Sequence, residues 1–212
     1  MVAFTGRVSF KQYIKNKPTP WGFKIWCLAE AESGYLLNFQ VYTGKTTTKP
    51  QHGLGHQVVT SMMANHLGKK NSVHFDNFFS SVKLCEDLKE KTTCYGTIRP
   101  NRKGWLMPNT KQKPGEVRMV AVQWTDKRQV NILSTNADPK MMTVERRTKR
   151  GVVQVQVPKP VVQYNSAMFG VDLNDQNRSY YPVGDPGTKW WRYLSNYHVQ
   201  ISIINAFILV MK

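Results

Sequence analysis

Apolar and polar positions along this chain follow two periods, one of strands and one of helices. Lys24 to Ala29 (KIWCLA) is a compact apolar run of strand length. Tyr35 to Tyr42 (YLLNFQVY) is a second, with Glu32-Ser33-Gly34 as a tight turn between them and Thr43-Gly44 closing the pair. This pattern predicts a β-hairpin. Val58, Met62, Met63 and Leu67 recur at helical spacing and predict an amphipathic helix ending near Gly68. Ser72 to Phe75 reads as a short strand. Ser80 and Ser81 can cap a helix that gathers Val82, Leu84, Cys85 and Leu88 on one face. Tyr95 to Ile98 is another strand. Val117 to Trp124 and Val130 to Leu133 are short β-rich segments, joined by a turn at Thr125-Asp126-Lys127-Arg128, and read as a small β insertion. A helix is expected to begin near Ser166 and run through Asp172 and Asp175. A last helix starts near Thr188, where Trp190, Leu194, Tyr197, Ile201, Ile204 and Ile208 keep the helical period. Elements in this order make a mixed α/β domain.

Composition narrows the class. At 212 residues the chain suits one domain, or one with an inserted subdomain, and 41% hydrophobic with 11% aromatic residues excludes full disorder. The most apolar run, Val199 to Met211, contains Gln200 and Asn205 and is shorter than the roughly 20 residues a spanning helix needs, so a core helix and no membrane partner are expected. The N-terminus has no apolar h-region, so no secretory signal is expected. Cys27, Cys85 and Cys94 form no CxxC pair. They predict neither a disulfide framework nor a zinc site within this chain, and a reducing compartment, cytoplasm or nucleus.

Charge adds a partner. The chain carries 30 Lys and Arg against 13 Asp and Glu, a formal +17, which calls for a polyanion. From Arg99 to Arg150, 13 bases face four acids, a net +9, among turn residues such as Pro100, Pro108, Pro114 and Pro139. Such a stretch is either a solvated loop surface or a surface that tracks phosphates. On the second reading Arg99, Asn101, Arg102, Lys103, Lys111 and Lys113 are the candidate DNA-binding residues.

The few acids are informative by position. Glu30 ends the first hairpin strand, Asp76 follows the strand Ser72–Phe75, and Asp172 and Asp175 stand three apart on one helical face. Carboxylates at strand ends can converge at a sheet edge, and a hard cation such as Mg²⁺ would neutralise their repulsion. The plainer alternative has Asp76 capping a turn, Asp172 an ordinary helix residue and Glu30 exposed. His52 and His56 share metal-pair spacing, but the Gly-Leu-Gly between them disfavours a helix. Tyr180-Tyr181 and Trp190-Trp191 could stack on bases, although paired aromatics more commonly pack in cores.

Several stretches together resemble a known family. FTGRVSFKQYIKNKPTPWGFKIW, GYLLNFQVYTGK, VHFDNFFSSVKLCEDLKEK, YGTIRPNRKGW, VNILSTN and YNSAMFGVDLNDQNRSYYPVG, followed by KWWRYL and INAFIL, resemble the piggyBac family of DNA transposases and the transposase-derived proteins descended from them, over nearly the whole chain. The resemblance implies an α/β, RNase H-like core, a mixed sheet flanked by helices with a small β-rich insertion. Residues 1–100 would be its first part, 101–160 the basic insertion, and 161–212 the helical remainder with the third acid. It implies two Mg²⁺ ions, activation of water or a 3′-hydroxyl, and cleavage and joining of double-stranded DNA at TTAA sites in the nucleus. By position the second acid falls on Asp76, the third on Asp172 and an auxiliary one on Asp175. Glu30 stands where the family has an Asp.

Three departures qualify that picture. Glu carries its carboxylate about 1–1.5 Å farther from the backbone than Asp, and a misplacement of 1 Å can cost about 10²-fold in rate. Phe169 stands where the family usually has a second Gly, so a bulky ring beside the third acid is expected to alter packing there. The chain starts inside the expected core and ends without a cysteine-rich zinc module, which reads as a fragment or a short derivative, with any homodimer weakened by the missing regions. Three functions are therefore open: a DNA-binding, catalytically impaired derivative; an active two-metal transposase or nuclease core; and a non-functional remnant.

Overall fold

The computed structural model describes residues 1–45, 48–105, 119–135, 137–149, 151–184 and 187–212. In chain order the elements are β1 (Val2–Ala3), β2 (Gln12–Tyr13), β3 (Trp21–Phe23), β4 (Ile25–Ala29), β5 (Leu36–Val41), α1 (Leu54–Met63), β6 (Ser72–Phe75), α2 (Val82–Leu88), β7 (Thr93–Thr97), β8 (Met119–Thr125), β9 (Gln129–Thr135), β10 (Met141–Thr148), β11 (Gly151–Pro158), α3 (Lys159–Ala167), α4 (Gly170–Tyr180) and α5 (Trp190–Met211). They divide into two compact units, Met1–Lys49 with Phe169–Lys212, and Pro50–Met168.

In the first unit β4 and β5 form the expected hairpin, running from Ile25↔Val41 to Ala29↔Leu36. A small antiparallel sheet, β1-β3-β2, precedes it. The core is aromatic: Phe4 stacks on Phe23 at 5.0 Å, and Val2, Leu36, Tyr197 and Ile201 close around them. Helix α5 supplies Tyr197, Ile201, Ile204 and Ile208 from one buried seam, as its periodicity predicts. Asn205 fixes its register on the hairpin, with its Oδ1 accepting from Leu36 N and its Nδ2 donating to Leu36 O, both at 2.9 Å. The apolar run 199–211 is part of a longer element than its own length suggests. At 22 residues α5 is long and apolar enough, by length and composition, to cross a membrane.

The second unit is built on a four-stranded sheet in the order β6-β7-β9-β8. β6 and β7 run parallel from Ser72↔Thr93 to Phe75↔Gly96, linked by α2. Ser81 caps α2 by accepting from Leu84 N at 3.2 Å, and its Leu84, Cys85 and Leu88 are buried. Tyr95, Ile132, Val157, Val161 and Tyr164 form a second core. Inside it His74 stacks on Tyr95 at 4.9 Å, and burial lowers its imidazole to about 4.

Four features depart from the sequence reading. Helix α1 takes in Leu54 and Gly55, so the Gly-Leu-Gly between His52 and His56 does not prevent it, and it ends before Leu67. β8 and β9 extend the main sheet, because β9 pairs with β7 from Tyr95↔Ser134 to Thr97↔Ile132. The long hairpin β10–β11 has no counterpart in the sequence reading. The single helix expected from Ser166 is two, α3 and α4, separated at Met168-Phe169. The aromatic pairs are also not core: Tyr180, Tyr181, Trp190 and Trp191 are all exposed.

Gly96 shows how tightly the second unit holds the segment after β6. A Cβ there would stand 2.3 Å from the Phe75 ring and 2.4 Å from Ser80 Oγ, both of which are buried. Gly96→Ala is therefore expected to destabilise the protein by about 1–3 kcal/mol, the cost of overpacking a filled core. Thermal unfolding of the two proteins reads this as a Tm drop of about 2–4 °C per kcal/mol.

Candidate functional site

In the first unit the site is assembled where α4 meets the end of β4. Glu30 closes β4 and the turn after it, with its N–H donating to Tyr35 O at 2.9 Å and its carbonyl accepting from Gly34 N at 3.1 Å. Gly170 opens α4 directly against this backbone. A Cβ on Gly170 would lie 2.5 Å from Glu30 O and 3.0 Å from Ala31 Cα, so any side chain would drive the helix off the strand. Asn174, one turn on and 2% exposed, donates from Nδ2 to Gly34 O at 2.9 Å. Two backbone-level contacts thus set the first turn of α4, and with it Asp172, beside the residue that carries the Glu30 carboxylate.

The three candidate acids of this unit are in different states. Lys212 Nζ donates to both oxygens of Glu30, at 2.7 and 2.6 Å, and Ser33 Oγ donates to Oε2 as well. The Lys212 ammonium first, and the Ser33 hydroxyl second, hold the Glu30 carboxyl below its ordinary 4.5. Asp175 is paired with Arg178 at 2.8 Å, and Arg178 also donates to Gln200 Oε1 and lies 4.4 Å over the Tyr197 ring. Asp172 is exposed and has no hydrogen bond or ion pair among the described residues. Phe169, just before α4, is 53% exposed with a backbone that is not left-handed. The residue beside the third acid is thus largely open to solvent.

In the second unit Asp76 sits on the turn after β6, and the plain role foreseen for it is real. Its Oδ1 accepts from Phe78 N at 2.8 Å, and its carbonyl accepts from Phe79 N, Ser80 N and Ser80 Oγ. This Asx-type turn fixes the carboxylate while leaving Oδ2 without a partner among the described residues. The basic loop after β7 grips the same turn. Arg99 Nε donates to Asn77 Oδ1 at 3.2 Å, and Arg102 Nη2 donates to Asn77 O at 2.9 Å and Phe78 O at 3.1 Å. Arg102 is half-buried, so much of its guanidinium positions the acid's turn, whereas Arg99, Asn101 and Lys103 are exposed. Lys111 and Lys113 lie outside the described residues. His56 is tied to Asp87 at 2.8 Å.

Oxygen donors of this kind suit a hard divalent cation. Asp172 and the Oδ2 side of Asp76 fit that use as they stand. Glu30 fits less well, because the chain's own ammonium already neutralises it. Within each unit, among the described residues, no three His, Cys, Asp or Glu side chains are gathered into a metal-sized group. Sequence reasoning missed Ser33 and Lys212. Ser33 follows Glu30 in its own turn and was findable there, while Lys212 stands 182 positions away, with no local pattern to announce it.

The family described as Transposase IS4 matches residues 1–207. PiggyBac transposable element-derived protein 3 from Homo sapiens is 29% identical over 90% of this chain and 36% of its own length. PiggyBac transposable element-derived protein 2, also from Homo sapiens, is 30% identical over 98% of this chain and 38% of its own length. This chain thus spans little more than a third of these curated relatives. A cryo-EM structure of a piggyBac transposase synaptic complex with hairpin DNA superimposes with a TM-score of 0.78 at 27% identity, covering 97% of this chain and 44% of that one.

The Glu30 pairing has a measurable pH signature. A carboxylate whose folded value lies below its unfolded one contributes stability above the unfolded value and loses it as pH falls through the folded one. A carbon-detected NMR titration should place Glu30 below 4.5. Lys212→Met should move it back up, and an unchanged titration would show that the lysine does not hold the carboxylate in solution.

Proposed function

This chain belongs to the piggyBac family of transposases, and from that premise we propose that it is a transposase-derived protein that binds double-stranded DNA and is impaired in metal-dependent chemistry at its first acid. The observation that carries the reading is the state of Glu30, a residue one methylene longer than the family's Asp, with Lys212 bonded to both of its oxygens. A group that must share a divalent ion is displaced outward and already compensated by a cation. The displacement is the larger effect. An exposed ion pair contributes about 0.2–1 kcal/mol and yields readily to a metal, whereas misplacement by about 1 Å costs on the order of 10²-fold.

The family generally uses divalent metal ions, and two Mg²⁺ are the proposed cofactor, with Glu30 and Asp172 of the first unit and Asp76 of the second as candidate ligands. Bound there, the ions would polarise a phosphodiester and lower the pKa of an attacking water. The chain's own residues do the remaining work. The Asx-type turn orients Asp76, Arg99 and Arg102 brace that turn, and Gly170 with Asn174 hold Asp172 at its helix start. Arg99 and Lys103, exposed beside the Asp76 turn, suit a phosphate backbone, and the formal +17 supports duplex DNA as the partner. The same reading puts the protein in the nucleus. A second reading, an active core cutting and joining at TTAA, is favoured by the unpartnered Asp172 carboxylate.

One assay separates the two. The full chain is incubated with a TTAA-containing duplex at about 50 and 200 mM salt, where backbone-dominated binding should fall by at least tenfold. With Mg²⁺ or Mn²⁺ added, the expected result is binding without nicking. Glu30→Asp should bring nicking back, and adding Asp76→Ala should remove it again. Nicking by the natural chain as fast as by Glu30→Asp would establish the second reading, and duplex binding indifferent to salt would overturn both.

A further inference from the structure

The hairpin β10–β11 is not used by anything described so far. It is an eight-pair antiparallel ribbon, from Met141↔Pro158 to Thr148↔Gly151, and no third strand joins it among the described residues. Side chains alternate across such a ribbon, and directly opposed residues share a face. One face carries Val144, Val155 and Val157, which pack on the core around Tyr95, Ile132 and Val161. The other face carries Met141, Thr143, Glu145 and Arg147 from β10, and Val152, Gln154 and Gln156 from β11, every one of them exposed. Across this face Gln156 Nε2 donates to Thr143 Oγ1 at 2.7 Å.

The far end of the ribbon is basic. Arg146 pairs with Asp126 at 2.7 Å, which ties the ribbon to the β8–β9 turn, where Lys127 and Arg128 are exposed. Lys149 is exposed at the hairpin turn itself. The second unit therefore presents a mainly polar row with cations gathered at one end.

We propose that the outward face of β10–β11 enters the major groove of duplex DNA and reads base edges there. The proposal rests on the duplex-DNA reading above and adds to it the element that supplies sequence discrimination. The dimensions fit: eight residues at about 3.3 Å give a ribbon of roughly 26 Å, and a major groove about 12 Å wide admits a two-stranded ribbon. The side chains fit as well. Arg147 can donate bidentately to guanine O6 and N7, Gln154 and Gln156 can pair with adenine N6 and N7, and Glu145 can accept from cytosine N4. Lys127, Arg128 and Lys149 would rest on the flanking phosphates and position the ribbon. A lipid surface would want a continuous apolar face, whereas Met141 and Val152 stand apart at opposite ends of this one, and the deep, narrow major groove of an RNA duplex shuts such a ribbon out.

The test uses the full chain and a random-core DNA duplex library, from which the natural protein enriches its preferred sequence. Affinity is then measured for that sequence and for a scrambled duplex. Arg147→Ala with Gln154→Ala should cut the preferred-to-scrambled ratio by roughly tenfold or more, while binding to scrambled duplex and the melting temperature stay unchanged. Methylating guanine N7 on the preferred duplex should weaken the natural protein. Lys127→Ala and Lys149→Ala should each lower the salt slope by about one without changing the ratio. An unchanged ratio in the double variant, indifference to N7 methylation, or a preference for duplex RNA would overturn the ribbon's role and leave the general DNA reading standing. Absence of duplex binding by the natural chain would overturn that reading and the ribbon's role together.

Discussion

The contact between Gly170 and the backbone of Glu30 is the constraint on which the first unit's acids depend. With 2.5 Å between the position of a Cβ and the Glu30 carbonyl oxygen, only a glycine lets α4 begin against the end of β4. Asn174 then bonds the Gly34 carbonyl, so the helix cannot slide along the turn without leaving a buried amide and a carbonyl unpaired. Asp172 gains its place from these two contacts and not from its own side chain, which bonds to nothing described. The acid is thus set by backbone packing and left open for a ligand.

Glu30 stands in the opposite condition. Its backbone is as well fixed as that of Asp172, but its carboxylate is drawn to Lys212 and Ser33. A carboxylate suited to a metal can instead draw positive charge from the chain. Glu30 has found it in a lysine, and the extra methylene of Glu is what carries the carboxylate away from the backbone. On the proposed correspondence, the family's first acid and Glu30 differ in the reach of their oxygens, and a metal site is sensitive to reach.

Much of this was legible in the sequence. The β4–β5 hairpin, β6, α2 and the buried seam of α5 follow from apolar spacing and cap residues, because each is set by local periodicity. Asp76 and Asp172 were placed from motif position, and the structure gives each a turn or helix start that explains its exposure. What was not legible depends on distant contacts. The break at Met168-Phe169 interrupts a stretch with no Pro to announce it. The β10 arm, MMTVERRT, lacks a regular apolar alternation, so its pairing with the more regular GVVQVQVP went unread. That β9 pairs with β7 is a tertiary choice invisible to a window of neighbours. Lys212 reaches Glu30 across nearly the whole chain.

The most direct measurement of the central claim is Mn²⁺ binding to the full chain by electron paramagnetic resonance, comparing the natural protein with Glu30→Asp and Lys212→Met. Impairment at the first acid predicts weak binding by the natural protein, a gain for Lys212→Met of no more than about fivefold, in line with an exposed ion pair, and a larger gain for Glu30→Asp. Tight binding of two Mn²⁺ by the natural protein, unchanged by Glu30→Asp, would contradict it.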